Sequence, residues 1–81
     1  MEKIGERLKI LRKQKKLTAE KLAELVGIDR TYISKIENTY FIPSFKILYK
    51  IAEKLDDYSF FQDALKEKYP ELKQFLRKQT K

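Results

Sequence analysis

The chain has 81 residues, enough for one modest core and too few for two. It is 42% apolar and 38% charged with neither Cys nor His, which excludes disulfide frameworks, Cys/His zinc sites, a cysteine nucleophile and a histidine base. Lys and Arg exceed Asp and Glu by seven, an excess that favours a polyanionic partner, although a merely soluble basic protein would carry it too.

No apolar run approaches the length of a membrane span, and Met1-Glu2-Lys3 leads into an amphipathic segment rather than a signal peptide. A cytoplasmic protein with no membrane partner is expected. No Asp/Glu cluster has the spacing of a cation loop, so no metal and no cofactor is expected. Two Gly, two Pro and little apolar–polar alternation leave small room for strands, and the fold class expected is all-α.

The first helix is expected over Lys3 to Gln14, with Ile4, Leu8 and Leu11 as its core stripe. Lys9, Arg12, Lys13, Lys15 and Lys16 gather at its C-terminal end. Part of that charge suits the helix dipole. Lys13, Lys15 and Lys16 exceed the need and are placed to approach phosphates.

A second helix is expected over Thr18 to Val26, with Leu22, Ala23 and Val26 on one stripe. The Thr18 hydroxyl can accept from an orphan N–H of the first turn, and that turn's partial positive charge suits a phosphate. Gly27 follows the last apolar residue, at the position that usually needs φ > 0. Asp29 is a good N-cap for a third helix, Arg30 to about Asn38, with Ile33 and Ile36 as its buried face. Arg30, Thr31, Ser34 and Lys35 then point away from that face. A helix with exposed donors at its N-terminal end, presented beyond a sharp turn, has the shape to enter a DNA major groove.

Tyr40-Phe41-Ile42 puts three apolar residues in the next loop, which need burial, a dimer partner or a DNA backbone to lie along. Ser44 is expected to cap a fourth helix whose Phe45, Leu48, Ile51, Ala52 and Leu55 close the core. Asp56 to Ser59 supply a turn, with Ser59 as cap of a helix containing Phe60, Phe61, Ala64 and Leu65. Pro70 suits the first turn of one more helix, with Leu72, Phe75 and Leu76 as its stripe. The division expected is a DNA-binding core over residues 1–58 and a helical extension over 59–81. The extension's aromatic residues point to self-association, with folding back on the core as the alternative.

Leu17-Thr18, Leu22-Ala23, Gly27-Ile28, Ile33-Ser34, Ile36-Glu37-Asn38, Pro43-Ser44 and the run Ile51-Ala52 to Leu55 carry a resemblance. Together, over roughly Ile4 to Tyr58, they resemble the helix-turn-helix family of phage repressors and Cro proteins, also called the xenobiotic-response-element family. The resemblance implies a five-helix, lambda-repressor-like domain, here with an additional C-terminal helix. It implies base contacts from Arg30, Thr31 and Lys35, with Tyr32 beside them. It implies backbone contacts from Arg12, Thr18, Tyr32, Ser34 and Asn38, although Ser34 can equally serve close helix packing. Arg12 matches the family's arginine that pairs with the residue here Glu37, as a structural bridge or as a guanidinium steered toward phosphate. The chain departs from the family at Ala19, where Gln is common, and at Thr39, where Gly is common. No basic residue stands between Asn38 and Lys46, so a weaker phosphate grip is expected from that loop.

The function expected is that of a dimeric, sequence-specific transcriptional regulator, most simply a repressor, with double-stranded DNA and a second copy as partners. The alternative is an antitoxin or bridging-type interaction module that uses the apolar loop and the tail to hold a toxin or another regulator. An enzyme is not expected, because no nucleophile–base pair and no Gly-rich phosphate loop is recognisable.

Overall fold

The computed structural model describes residues 3–39 and 41–71. Five helices follow one another: α1 (Ile4–Gln14), α2 (Ala19–Val26), α3 (Arg30–Asn38), α4 (Phe45–Leu55) and α5 (Tyr58–Lys68). The all-α expectation holds. The helix expected after Pro70 falls almost wholly outside the described residues, and so does Tyr40.

The helix boundaries follow from their end groups. Thr18 Oγ1 accepts from the Lys21 N–H and Ser44 Oγ from the Ile47 N–H, so both are caps as expected. Each such cap is worth about 1 kcal/mol. Gly27 takes φ 85° at the end of α2, and its N–H donates to the Ala23 carbonyl. Ser59 does not cap α5. Asp57 does, accepting from the backbone N–H groups of Ser59 and Phe60 and from the Ser59 hydroxyl. A carboxylate has more lone pairs to share among the orphan donors of a first turn than a hydroxyl has.

The core unites all five helices: Ile4 and Leu8 of α1, Leu22, Ala23 and Val26 of α2, Ile33 and Ile36 of α3, Leu48, Ile51, Ala52 and Leu55 of α4, Phe60 and Ala64 of α5. Phe60 and Ala64 are fully buried, so the packed unit continues past residue 58 into α5. Helix α3 packs on α1 and α2, α4 on α2 and α5, and α1 on α5. Phe45 leaves the expected stripe. It is 56% exposed, because it stands at the first position of α4, beyond the core edge, where it meets the Phe61 ring edge to face. Phe41 and Ile42 are half-buried against the core, the packing answer for that part of the loop.

Gly5 sits inside α1, where glycine is a poor helix former. A Cβ there would meet the Ile36 carbonyl oxygen at 2.2 Å and the Glu37 Cα at 3.0 Å. The glycine lets the backbones of α1 and α3 touch, which sets the position of α3.

Candidate nucleic-acid interface

Three contacts brace α3. The Arg12 guanidinium forks onto Glu37, with Nε to Oε2 at 2.7 Å and Nη2 to Oε1 at 3.1 Å. Its Nη1 donates to the Leu17 carbonyl at 2.7 Å. The side chains are only 10% and 5% exposed. The pair therefore joins α1, the turn before α2, and α3 in one buried junction. The resemblance left Arg12 open as a bridge or a phosphate ligand; each of its three nitrogens makes a bond within the protein and its surface is nearly covered, which is the arrangement of a bridge.

The N-terminal end of α3 is fixed by Asp29. Its Oδ1 accepts from the Thr31 backbone N–H at 2.9 Å and from the Thr31 hydroxyl at 2.8 Å. These two bonds, with Arg30 nearby, hold the Asp29 carboxyl below its ordinary value despite some loss of water. The Thr31 hydroxyl proton is thus committed to Asp29. What Thr31 presents outward is a pair of lone pairs and a methyl.

Toward the C-terminal end, Lys35 lies with Nζ 4.5 Å from the centre of the Phe41 ring. Phe41 in turn stands edge-on to Tyr32, with ring centres 5.4 Å apart. Thr39, which replaces the family's usual glycine, takes an extended conformation. Its hydroxyl donates to the Lys35 carbonyl at 2.5 Å and accepts from the Phe41 N–H at 3.1 Å. The loop after α3 therefore holds the Lys35 ammonium by a cation–π contact. The Phe41 contribution was not visible in the sequence, where three adjacent apolar residues give no direction.

Arg30, Thr31, Ser34 and Lys35 are all exposed on one side of α3, opposite buried Ile33 and Ile36. The side chains of Arg30 and Ser34 make no hydrogen bond or ion pair among the described residues. Tyr32 is half-buried against Phe41, the ring that also carries the Lys35 ammonium. Thr18 is exposed at the head of α2, and Asn38 at the tail of α3. Beside Asn38, a notch of about 330 Å³ opens between α1 and α3, lined by Lys3, Gly5, Glu6, Lys9, Glu37, Asn38 and Thr39. Among the described residues no three acidic side chains converge in a way that could hold a metal ion. No described helix is long and apolar enough to cross a membrane.

This arrangement can present two cations, two hydroxyls and a methyl on a single ridge about two turns long, the dimensions of base readout in a major groove.

A family model described as a helix-turn-helix domain matches residues 5–58. The "ImmF control region 10 kDa protein" of Bacillus phage phi105 is 44% identical over 50 residues, 62% of this chain and 56% of that protein. The "Immunity repressor protein" of the same phage is 39% identical over 49 residues, 60% of this chain and 34% of that protein. The chain thus matches about half and about a third of the lengths of these relatives.

Proposed function

Because the chain belongs to the helix-turn-helix family of Cro and phage-repressor type, we propose that it is a sequence-specific, dimeric repressor of transcription. The observation that carries this reading is the exposed ridge Arg30, Thr31, Ser34 and Lys35 on a braced α3. The printed names of the phage relatives, an immunity repressor and a control-region protein, support it.

In this mechanism the basic surface supplies a salt-dependent attraction that ignores sequence. Selectivity comes from the ridge. Arg30 forks onto O6 and N7 of a guanine, Lys35 reaches acceptors from its seat on Phe41, and Thr31 offers lone pairs and a methyl. Thr18, Ser34 and Asn38 contact phosphates and fix the register. Two copies on a near-palindrome place their α3 helices about 34 Å apart. No catalysis is needed; occupancy of promoter DNA is the output.

The test is selection of binding sites from a random duplex pool at near-physiological salt. A two-fold symmetric site with half-sites about one turn apart is the expected outcome. Salt-sensitive retention without enrichment would mean that the surface grips backbone only, and the reading would fail.

One observation favours a second reading, the protein-interaction module. Phe45, Tyr49, Tyr58 and Tyr69 are exposed aromatics away from α3. Failure of the selection, together with capture of a defined toxin or regulator through these residues, would establish it.

A further inference from the structure

The loop from Thr39 to Pro43 is held at both ends. At its entrance the Thr39 hydroxyl donates to the Lys35 carbonyl and accepts from the Phe41 N–H. At its exit Pro43 is buried, and its carbonyl accepts from Lys68 Nζ at 2.7 Å, at the last position of α5. Between these anchors Phe41 packs on the core and meets the Tyr32 ring edge to face. Tyr32 and Lys35 are one turn apart on α3, so a ring against Tyr32 also reaches the Lys35 side chain. The Lys35 ammonium lies over that ring, 4.5 Å from its centre.

A lysine without such a seat is a poor reader of bases. It is a point charge on a flexible four-carbon stem, and it meets a phosphate oxygen as readily as a base edge. It also loses its rotamer freedom on binding either one. A seated ammonium starts from one place, with part of that ordering done in the free protein. The place depends on Thr39, because its hydroxyl joins the backbone of Phe41 to the last turn of α3. A glycine there could make neither hydroxyl bond. It would also leave freely the extended conformation in which a β-branched residue is stiff.

We propose that Thr39 and Phe41 are positioning residues that set specificity: the seat they build directs Lys35 to one base position, with the paired acceptors of a guanine edge as its target. The proposal rests on the repressor reading for its use on DNA. The seat itself is a property of the free protein.

Two measurements on the full chain test it. In proton NMR of the free protein, the Lys35 ε-methylene signals should lie upfield of those of an unseated lysine, because the adjoining ammonium is over the ring. Phe41→Leu should erase that displacement and Phe41→Tyr should keep it. Thr39 is exposed, so Thr39→Val leaves the core intact; it should reduce the displacement, and Thr39→Ser should preserve it. On DNA, site selection first names the base position whose preference Lys35→Ala loses. Competition between duplexes that differ there should show preference falling about two- to fivefold in Phe41→Leu and Thr39→Val. Phe41→Tyr and Thr39→Ser should retain it, and positions lost in Arg30→Ala should not move. In the Lys35→Ala background, Phe41→Leu should have no further effect at that position. An ε-methylene without displacement in the wild type overturns the proposal. So does a Phe41→Leu loss equal on all sequences, or one that persists without Lys35; either would make the ring a backbone contact or a packing residue alone. Enrichment by the wild type with no change in Phe41→Leu and Thr39→Val sinks the proposal and spares the repressor reading. A wild type that enriches no sequence sinks that reading, and this use of the seat with it, while the ε-methylene signals still report the seat.

Discussion

Thr31 and Arg30 are neighbours with opposite freedoms. The Thr31 hydroxyl is tied to Asp29, so it accepts and does not donate outward. Among the described residues the Arg30 side chain has no competing acceptor beyond the nearby Asp29 charge. Thr31→Val keeps a methyl and removes the acceptor; preference at one base position should fall by about 1 kcal/mol if an exocyclic amine is its partner. Thr31→Ser should keep that preference and lose any that depends on a thymine methyl. Competition between duplexes that differ at single positions measures both. Arg30→Ala should relax base preference and leave the salt slope nearly unchanged; a uniform loss on all sequences would instead mark Arg30 as a phosphate ligand. Arg12 belongs to a different class. Its fork to Glu37 is buried, and removing one partner strands the other charge, so Arg12→Ala should cost about 3–5 kcal/mol in chemical denaturation. Rescue by Arg12→Lys should be poor, because a lysine cannot supply the fork and the Leu17 bond together.

At the scale of the element, α1 and α3 are placed by a glycine. Gly5→Ala should improve local helix propensity and still destabilise the domain, since the new methyl would strike the Ile36 carbonyl and not a movable side chain. A loss of about 1–3 kcal/mol in thermal unfolding is expected, with a loss of DNA affinity as α3 is displaced. No change in stability would mean that the two helices separate freely. Helix α5 is started by a carboxylate. The Ser59 hydroxyl first, then the Phe60 and Ser59 N–H groups and the Arg7 charge, hold Asp57 below its ordinary value of 3.8, against some desolvation. A depressed carboxyl stabilises the fold above its unfolded value, and that contribution is lost as pH falls through the lower folded value. Asp57→Asn keeps an accepting oxygen without a titrating charge. The melting-temperature gap between wild type and this variant should be constant near neutrality and close as pH drops below about 3.8. A gap that persists in strong acid would place the effect elsewhere.

At the scale of the molecule, the proposed reading has a net charge of +7 driving the approach to DNA and the ridge on α3 making the choice. The logarithm of affinity should fall linearly with the logarithm of salt, for selected and unselected duplexes alike. The difference between the two should change little, because base contacts release few counterions.

The sequence alone determined the five helices, their order and most of their ends. The signals are local: apolar spacing of three and four, Thr18, Asp29 and Ser44 before a stripe, Gly27 after one. The exposed set on α3 followed from the same period, because Ile33 and Ile36 leave the opposite side to solvent. The resemblance added the Arg12–Glu37 pairing, 25 residues apart in the chain, which no local pattern could supply. Only the tertiary structure decided the rest. Gly5 looks like a weak residue in a helix until the Ile36 carbonyl is seen beside it. Phe45 continues a stripe by number, yet lies past the end of the core. Ser59 and Asp57 are both able caps, and chain direction at the turn chose Asp57. Phe41 acquired a role by lying under Lys35. Each of these turns on which two surfaces meet, and a helical period specifies a face without specifying what lies against it.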